Sequence, residues 1–471
     1  MGLHQNSVAS LDLSDHGGHR RSNHYKKALM RDQNLLLREE DVRLEKQLLQ
    51  LNKPPIKTFK TQYGETIDCI DINKQPAFDH PLLKDHKIQH HITSTRGRAQ
   101  TPTPETKDQD PIDNYSSSKL MKPNLPSDFR MEEASTREAR AHVNINRISC
   151  PPGTVPILRA TKASLARAKD YSDFHPATKD TPGLHYAYLD ATPGVIRGGK
   201  ASGTVYNYEI KSGQMTASKM WLTSGDGSSS ISTGWMIAPE LFNDTLSHLF
   251  IEWSDWNAHG FKAGCINLVC PGFVIVDQSF TPGMAIREVS EVNGKQMELR
   301  PMIRQDNLTG NWWLYNEHNK GIGYWPDAIL PKLHNGASFF SVGGISQAAA
   351  AGPNPPMGSG LFPDGYYRHA AYYRELQFVN SAGYLEDIRR KTTKVNVDAP
   401  ACFGFENQGW DGELMSVLDQ VLLLFLRCLK CDEEGMHVYV VNPSSLISAL
   451  VYPAPLSAER RLKLTEAKEP P

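Results

Sequence analysis

The segment Ser230–Pro239, SISTGWMIAP, places a hydroxyl side chain beside a tryptophan of the kind found in pocket walls. Ser232 could act as a nucleophile, but a serine nucleophile needs a histidine and an acid beside it. The nearest histidines are His248 and His259, and the GxSxG pattern of a nucleophile elbow does not surround Ser232. The sequence therefore argues against a serine hydrolase.

Carboxyl side chains near this segment could act as general acids and bases. The nearest in sequence are Asp226, Glu240, Glu252 and Asp255. Glu252 lies in HLFIEWSDW, a predicted strand, and could reach a groove beside Ser232 from there. The alternation of that strand favours instead an outward-facing, solvated charge. We expect the outward position and keep Glu252 as a weak substitute acid.

Two further motifs lack what a ligand site requires. The glycine- and serine-rich residues 224–230, SGDGSSS, are not followed by Lys-Ser/Thr, so they predict a turn and not a phosphate cradle. His80, His86, His90 and His91 crowd into a loop rich in proline and lysine, without carboxylates to orient them as metal ligands. We expect no metal and no cofactor.

The seven cysteines are Cys69, Cys150, Cys265, Cys270, Cys402, Cys428 and Cys431. They lack the double CxxC or Cys/His spacing of structural zinc sites. Cys265 and Cys270 are close enough to form a disulfide, although two reduced, buried cysteines are the alternative. Cys69 and Cys150 are the only cysteines of the N-terminal part, residues 34–160, so we predict a second disulfide between them. Disulfides imply an oxidising compartment.

Length and composition indicate a multi-domain β protein. The 471 residues suffice for two to three domains, and 35 glycines and 31 prolines favour short strands joined by turns. The net charge of −1 argues against nucleic acid or an anionic membrane as the main partner. The N-terminal residues contain no apolar stretch typical of a secretory signal, which conflicts with the predicted disulfides.

Changes in composition along the chain predict five parts. Residues 34–51 have the spacing of an amphipathic helix that packs on its own domain, residues 56–72 form strands around a turn, and residues 183–410 alternate as antiparallel strands. The parts are a disordered N-terminus (1–33), a small α+β module with a linker (34–160), a second linker (161–182), a β-sandwich (183–411) and an atypical tail (412–471).

Several phrases together resemble the neprosin family, found mainly in plants. NKPPIKTFKTQYGETIDCIDINKQPAFDHPLLKDHKIQ and CPPGTVPILRAT resemble its activation peptide, and GWMIAPELF, GCINLVCPGF, GNWWLYNEHNKGIGYWP and MGSGLFPDGYYRHAAYYRELQFV resemble landmarks of its catalytic domain, in the family's order. The resemblance implies an all-β fold, an antiparallel two-sheet β-sandwich like that of glutamic peptidases, after a propeptide module. It also implies a secreted glutamic endopeptidase that cuts after proline in acid.

Glutamic-peptidase chemistry needs two carboxyls with different protonation states. One pulls a proton from the attacking water, and the other supplies a proton or supports the oxyanion. In the family, one glutamate lies two residues before the Gly-Trp landmark, where this chain has Ser232. The other follows a Gly-Gly pair, where this chain has Ile345. The resemblance therefore implies a catalytically impaired protein.

The proposed ligands follow from the resemblance and from the aromatic residues of the sandwich. Tryptophans concentrate between residues 221 and 325, which predicts an aromatic cleft. The expected cleft residues are Trp235, Trp253, Trp312, Trp313, Tyr324 and Trp325. Such a cleft suits a proline-rich peptide or a cell-wall polymer, and the chain's own propeptide is the expected partner before activation.

Alternatives to an inactive binding protein remain open. One is an active prolyl endopeptidase that uses other acids. Another is a non-functional, truncated or mis-assembled product, because residues after 411 lack the family's closing strand and last cysteine and leave a sheet edge unpaired. Asn243 and Asn307 are predicted glycosylation sites, with a further sequon at Asn114 in the linker. The family's secretion and the missing signal leave the compartment open.

Overall fold

The computed structural model describes residues 38–92, 140–142, 148–171, 181–256, 262–349, 352–364, 366, 368–407 and 416–420. Two packed sheets of mostly antiparallel strands fill this part of the chain, after a small module with helices and three strands. The predicted all-β fold is confirmed. The expected disorder of residues 1–33, the apolar run at 421–426, His259, Asn114, Cys428 and Cys431 lie outside the described residues.

The smaller sheet of the sandwich has seven antiparallel strands. Strands are numbered in chain order, and their order across the sheet is β10 (Lys262–Ile266), β9 (His248–Trp256), β8 (Ser229–Ile237), β7 (Met215–Thr223), β16 (Phe339–Gln347), β5 (Leu184–Ala191) and β19 (Thr393–Val397). Side chains of β7 and β8 are buried on both sides of the sheet, so these central strands combine apolar and small polar residues with little exposed charge.

The larger sheet has eleven strands. Its main path is β11 (Val274–Ile275), β15 (Gly321–Trp325), β14 (Trp312–Tyr315), β13 (Met302–Gln305), β6 (Gly198–Thr204), β17 (Ala371–Val379), β21 (Ser416–Gln420) and β20 (Phe403–Asn407). Beside it lie β12 (Gln296–Leu299), β3 (Arg140–His142) and β18 (Leu385–Asp387). β3 pairs with β12 in parallel, so a strand from the predicted first linker joins this sheet.

The N-terminal module, defined as residues 38–92 and 148–158, contains a three-stranded sheet of β1 (Lys57–Lys60), β2 (Thr66–Asp71) and β4 (Thr154–Leu158). The α-helices are α1 (38–51), α2 (Lys162–Tyr171) and α3 (Pro239–Phe242). Short 3-10 helices span Ile72–Lys74, Pro76–Asp79, Pro81–Leu83, Asp327–Ile329, Pro331–Leu333 and Arg390–Thr392. Helix α1 packs against α2, since its Leu44 and Leu51 cluster with Leu165.

The core lies between the two sheets. Trp235 of the smaller sheet donates its indole N–H to the Thr204 carbonyl of the larger sheet at 2.9 Å. Gly199 of β6 leaves room for a ring, because a Cβ there would lie 2.5 Å from the Phe340 ring. The two inner faces therefore interlock as in an aligned sandwich.

Two differences from the sequence predictions concern connections. The predicted linker 161–182 contains helix α2, which packs against α3. The expectation of an open sheet edge is wrong, because β21 pairs with both β17 and β20. β21 begins beyond the boundary predicted at residue 411. Within the described ranges, no helix has the length and apolar content needed to cross a bilayer.

Candidate active site face

Ser232 and Ile345, the two positions where the family has glutamates, lie on one face of the smaller sheet. Successive strand residues point to opposite faces, and Trp235 points inward to the larger sheet. Ser232 therefore points to the opposite side, which we call the outer face. Ile345 lies on that face too, since it clusters with Met236 and away from the inner core.

Ser232 contacts a carboxyl on the neighbouring strand. It lies opposite Glu252 in the β8–β9 register, and its hydroxyl donates to Glu252 Oε2 at 3.1 Å. Glu252 points to the outer face, as predicted, but it is only 6% exposed, so the prediction that its charge is solvated was wrong. The alternation argument fails here because the side chains on both faces of the adjacent strands β7 and β8 are buried.

Lys219 donates to the same carboxylate oxygen of Glu252 as Ser232 does. Its Nζ donates to Oε2 at 2.9 Å, and the two side chains are 3% and 7% exposed. The ammonium also lies 5.5 Å from the centre of the Trp221 ring. A buried carboxylate needs such compensation, since leaving one charge unpaired there is costly. The Glu252 carboxylate is thus held by an ion pair and a hydroxyl.

Gly234 makes this ion pair possible. It lies on β8 directly opposite Lys219, between the strands that carry the two charges. A Cβ at Gly234 would lie 2.1 Å from the Ser218 carbonyl and 2.9 Å from the Lys219 Cβ. Without a side chain at this position, the lysine can cross β8 to reach Glu252.

Ile345 sits in an apolar cluster instead of a polar site. It is 1% exposed and shares its cluster with Tyr186, Met236 and Ala168 of α2. By the strand register, Ile345 lies four residues along β16 from Ser341, the residue in line with Ser232 across β7. Ser232 and Ile345 therefore lie on the same face of the sheet but in different cross-strand rows.

A second carboxyl, Asp190, lies on the outer face, on β5 next to the edge strand β19. The register aligns Glu252, Ser232, Trp221, Ser341 and Asp190 in one row across five strands.

Asp190 accepts from the Ser341 hydroxyl at 2.5 Å and from Asn396 at 3.0 Å, and burial raises its pKa despite these bonds. Burial, with the Asp190 charge, raises the pKa of Tyr188 to about 12.

The six residues expected to line an aromatic cleft are in the core. Each is at most 4% exposed: Trp235, Trp253, Trp312, Trp313, Tyr324 and Trp325. No ligand could stack on them unless the packing around them opened. Their role in binding stays a prediction.

The histidines considered for catalysis or metal binding are engaged elsewhere. His248 Nε2 contacts Asp244 at 2.8 Å and its Nδ1 contacts the Gly283 carbonyl at 2.7 Å, so it does not face Ser232. His80 Nδ1 accepts from the Leu82 amide, and His86 Nε2 contacts the Tyr324 hydroxyl at 2.8 Å. Among the described residues, no group of histidines, cysteines and acids is arranged to hold a metal.

The other acids considered lie away from Ser232. Asp226 is in the β7–β8 hairpin, where hydrogen bonds from Ser224 and Ser228 lower its pKa, and this hairpin is the predicted turn at 224–230. Glu240 begins α3 and pairs with Arg167 at 2.8 Å. Asp255 lies opposite Ser229 on β9.

Both predicted disulfides are present. Cys69 joins Cys150, and Cys265 joins Cys270, with Cα atoms 5.6 and 5.9 Å apart. Asn243 and Asn307 are exposed, the first with a left-handed φ of 64° at the end of α3. Their glycosylation stays a prediction.

Sequence reasoning missed Lys219 and Gly234. The signal available was a single charge in the otherwise uncharged strand MTASKMWLT, which a buried partner must compensate. The partner itself could not be identified, because the β7–β8–β9 register is a tertiary feature.

Two protein-family models match this chain. Residues 212–417 match the family model described as Neprosin, and residues 58–191 match the one described as Neprosin activation peptide. The chain is also similar to scytalido-glutamic peptidase with a transition state analog inhibitor, at 8% identity and a TM-score of 0.29, over 50% of this chain and 98% of that chain. A similar match is SCP-B, a member of the Eqolisin family of peptidases in a complex with a tripeptide, at 8% identity and a TM-score of 0.24, over 51% and 98% of the two chains.

Proposed function

This chain belongs to the neprosin family, and from that premise we propose a peptidase-like protein that binds extended peptides but has lost glutamic-peptidase catalysis. The observation that carries the proposal is the pairing of Glu252 with Lys219 beside Ser232. The carboxyl nearest the first family position is already committed to an ammonium and a hydroxyl.

A proton relay needs a carboxyl that can exchange its proton with water. General acid–base help is typically worth about 10²–10⁴-fold in rate, and catalytic groups act as a unit. Glu252 is buried and contacts both Lys219 and Ser232, which supports a structural ion pair in place of a proton carrier. Ser232 offers a hydroxyl, which does not titrate in the acid range.

The second family position supports the same conclusion. Ile345 has no proton to exchange, and its neighbours Tyr186, Met236 and Ala168 form an apolar cluster. A water molecule poised for attack would have few polar partners there. Restoring one glutamate alone would therefore not rebuild the pair.

An active peptidase that uses other acids is the second candidate, and Asp190 is the observation that could favour it. Its raised pKa would suit a proton donor. However, four strand spacings of about 4.8 Å separate it from Glu252, so their Cα atoms lie about 19 Å apart in a flat sheet. Two acids at that separation cannot share one water.

The ligand class comes from the family alone. Proline-containing chains are already extended, so they lose little conformational entropy on binding. We propose a proline-rich peptide as the ligand, with a cell-wall polymer as the other possibility.

The test measures whether the protein binds a proline-rich peptide without cleaving it. A fluorescently labelled proline-rich peptide is titrated with purified protein at pH 4 and pH 7, with the same peptide carrying alanine for proline as control. We expect saturable binding that prefers the proline peptide, and recovery of the peptide at its intact mass. Equal binding of both peptides, or no binding by soluble folded protein, would contradict the proposed ligand.

A further inference from the structure

We propose that the N-terminal module is a permanent, non-covalent subunit of the sandwich, which stays bound after the chain is cut between residues 171 and 181. This goes beyond the proposed function, since it concerns the contact between the module and the sandwich and not the chemistry at Ser232 and Ile345. It also differs from a propeptide that leaves on activation. The surface of the sandwich described below binds the module itself, residues 38–92 and 148–158.

The module shares its apolar core with the sandwich. Ile70, Leu83, Val155 and Ile157 are at most 5% exposed and belong to the same cluster as the central residues of both sheets. Apolar area removed from water is the main stabilising contribution in permanent interfaces. Separation would expose these four side chains together with the sandwich residues that they cover.

A second apolar contact lies on the larger sheet. Five residues there form an aromatic patch: Val274, Met302, Trp313, Tyr315 and Tyr324. Ala77, Phe78 and Ile92 of the module pack against this patch, and the Trp313 and Tyr324 rings are 4.9 Å apart. All five patch residues are at most 3% exposed. Without the module, a patch of this composition would face water, as binding surfaces do.

Gln75 closes the edge of the larger sheet. Its side chain donates to the Ile275 carbonyl at 3.0 Å and accepts from the Ile275 amide at 2.8 Å. The amide side chain thus pairs with edge strand β11 as a neighbouring peptide unit would. Gln75 is 1% exposed, so its loss would leave two buried backbone groups unpaired.

Gln89 and His86 hold the Tyr324 hydroxyl at the rim of the aromatic patch. The Gln89 amide N–H donates to it at 2.9 Å and His86 Nε2 contacts it at 2.8 Å. The Gln89 side chain also accepts from Asn311 at 2.8 Å and donates to Asp306. These bonds give the interface a specific register.

Glu65 anchors the opposite part of the module. Its carboxylate accepts from the Ala285 amide at 3.0 Å and lies 3.8 Å from His248 Nδ1. The contacts at Ala285, Ile275 and Tyr324 are on separate segments of the sandwich, so the module is held at several independent points. The Cys69–Cys150 bridge is internal to the module and does not tie it covalently to the sandwich.

The test is a cut in the full-length, disulfide-intact protein. A site for a specific protease replaces residues within 172–180, cleavage is taken to completion on a denaturing gel, and the product is analysed by size-exclusion chromatography at pH 7 over a hundredfold dilution. We expect the two fragments to elute together at the uncut volume throughout. Separation of the fragments at micromolar concentration would overturn the proposal, whether or not the sandwich stays soluble.

Matched variants distinguish the specific interface from non-specific adhesion. Gln75→Ala with Gln89→Ala removes the side-chain hydrogen bonds to Ile275, Asn311 and Asp306, whereas Gln50→Ala changes an exposed glutamine of α1. Near-ultraviolet circular dichroism of each uncut protein checks its fold. After the cut, we expect the double variant to dissociate at a concentration at least tenfold higher than Gln50→Ala. Identical dissociation of the two would contradict the assigned surface.

Discussion

The outer face of the smaller sheet and the aromatic patch of the larger sheet are both buried, but for different reasons. On the outer face, polar and charged groups are buried and satisfy one another, as in the contact of Lys219 and Ser232 with Glu252. On the aromatic patch, apolar groups such as Trp313 are buried against another module, and hydrogen bonds surround them. The polar groups of the outer face are satisfied by groups of the same sheet, whereas the aromatic patch is complementary to the N-terminal module.

This difference explains how the family's catalytic glutamates can be replaced without loss of the fold. The family positions can hold Ser232 and Ile345 because the neighbouring charge has found a partner and the neighbouring apolar groups form a cluster. The fold therefore does not depend on the glutamates. The module does contribute to the core, since its Ile70 and Leu83 belong to the main cluster.

Removing Lys219 should have the largest effect on the outer face. Lys219→Met leaves the Glu252 carboxylate buried without its ammonium, which costs about 3–5 kcal/mol in the free energy of unfolding. Urea unfolding measures this. The paired change Lys219→Met with Glu252→Gln is the control, and it should recover most of the loss. A single variant as stable as wild type would contradict a buried, compensated pair.

Truncating Phe78 should have the next largest effect and tests the aromatic patch. Phe78 is half-buried against the patch, so Phe78→Ala should cost about 2 kcal/mol, below the 3–5 kcal/mol typical of a fully buried ring. Thermal unfolding of the uncut protein measures it. Leu82→Ala, at a side chain that is 63% exposed, is the matched control and should cost little. Equal losses would show that the patch contact adds no stability.

Ser232→Ala should have a smaller effect. It removes one hydrogen bond to a charged acceptor and leaves the Lys219–Glu252 pair in place, so we expect a loss of about 1.5 kcal/mol. Urea unfolding of Thr233→Ser, at the adjacent inward position, provides a comparison for small changes at the same strand. A loss as large as that of Lys219→Met would mean that the hydroxyl, and not the ammonium, stabilises Glu252.

The pH dependence should be the smallest effect, and it has opposite signs on the two surfaces. Burial lowers the pKa of His80 and His86 in the module from 6.5, so the unfolded chain binds protons first as the pH falls below 6.5. The stability from these two groups is complete above 6.5 and declines as the pH falls through their lowered pKa.

Asp190 behaves in the opposite way. Burial raises its pKa above 3.8, so its contribution is complete below 3.8 and is lost as the pH rises through the raised value. Denaturant unfolding from pH 3 to 8 should show a shallower acid slope in His86→Phe and a shallower loss between pH 4 and neutral in Asp190→Asn. Unchanged slopes in both variants would contradict these assignments.

The sequence predicted the strands better than their contacts. Alternating runs such as HLFIEWSDW indicated the sheet strands, and the two cysteine pairs were predicted from spacing and from their place in the chain. Burial of Glu252 was not predictable from alternation, because alternation assumes that one side of a strand faces water. Here both sides of the central strands β7 and β8 are covered.

The aromatic residues show that composition alone does not distinguish a binding cleft from a core. Composition identified Trp312, Trp313 and Trp325 as a group, but a group of tryptophans in a strand can line a cleft or fill a core. Only the register and the position of the N-terminal module show that Trp313 faces the module. Lys219 was overlooked for a related reason, since its partner is two strands away.

Hydrolysis after proline tests the central claim most directly. Purified wild-type protein, Glu252→Gln and heat-denatured wild type are incubated with a proline-rich peptide at pH 3 to 5, and products are counted by mass spectrometry. If the outer face has no pair of proton carriers, all three samples will yield the same background. Cleavage after proline by wild type that disappears in Glu252→Gln would contradict the account.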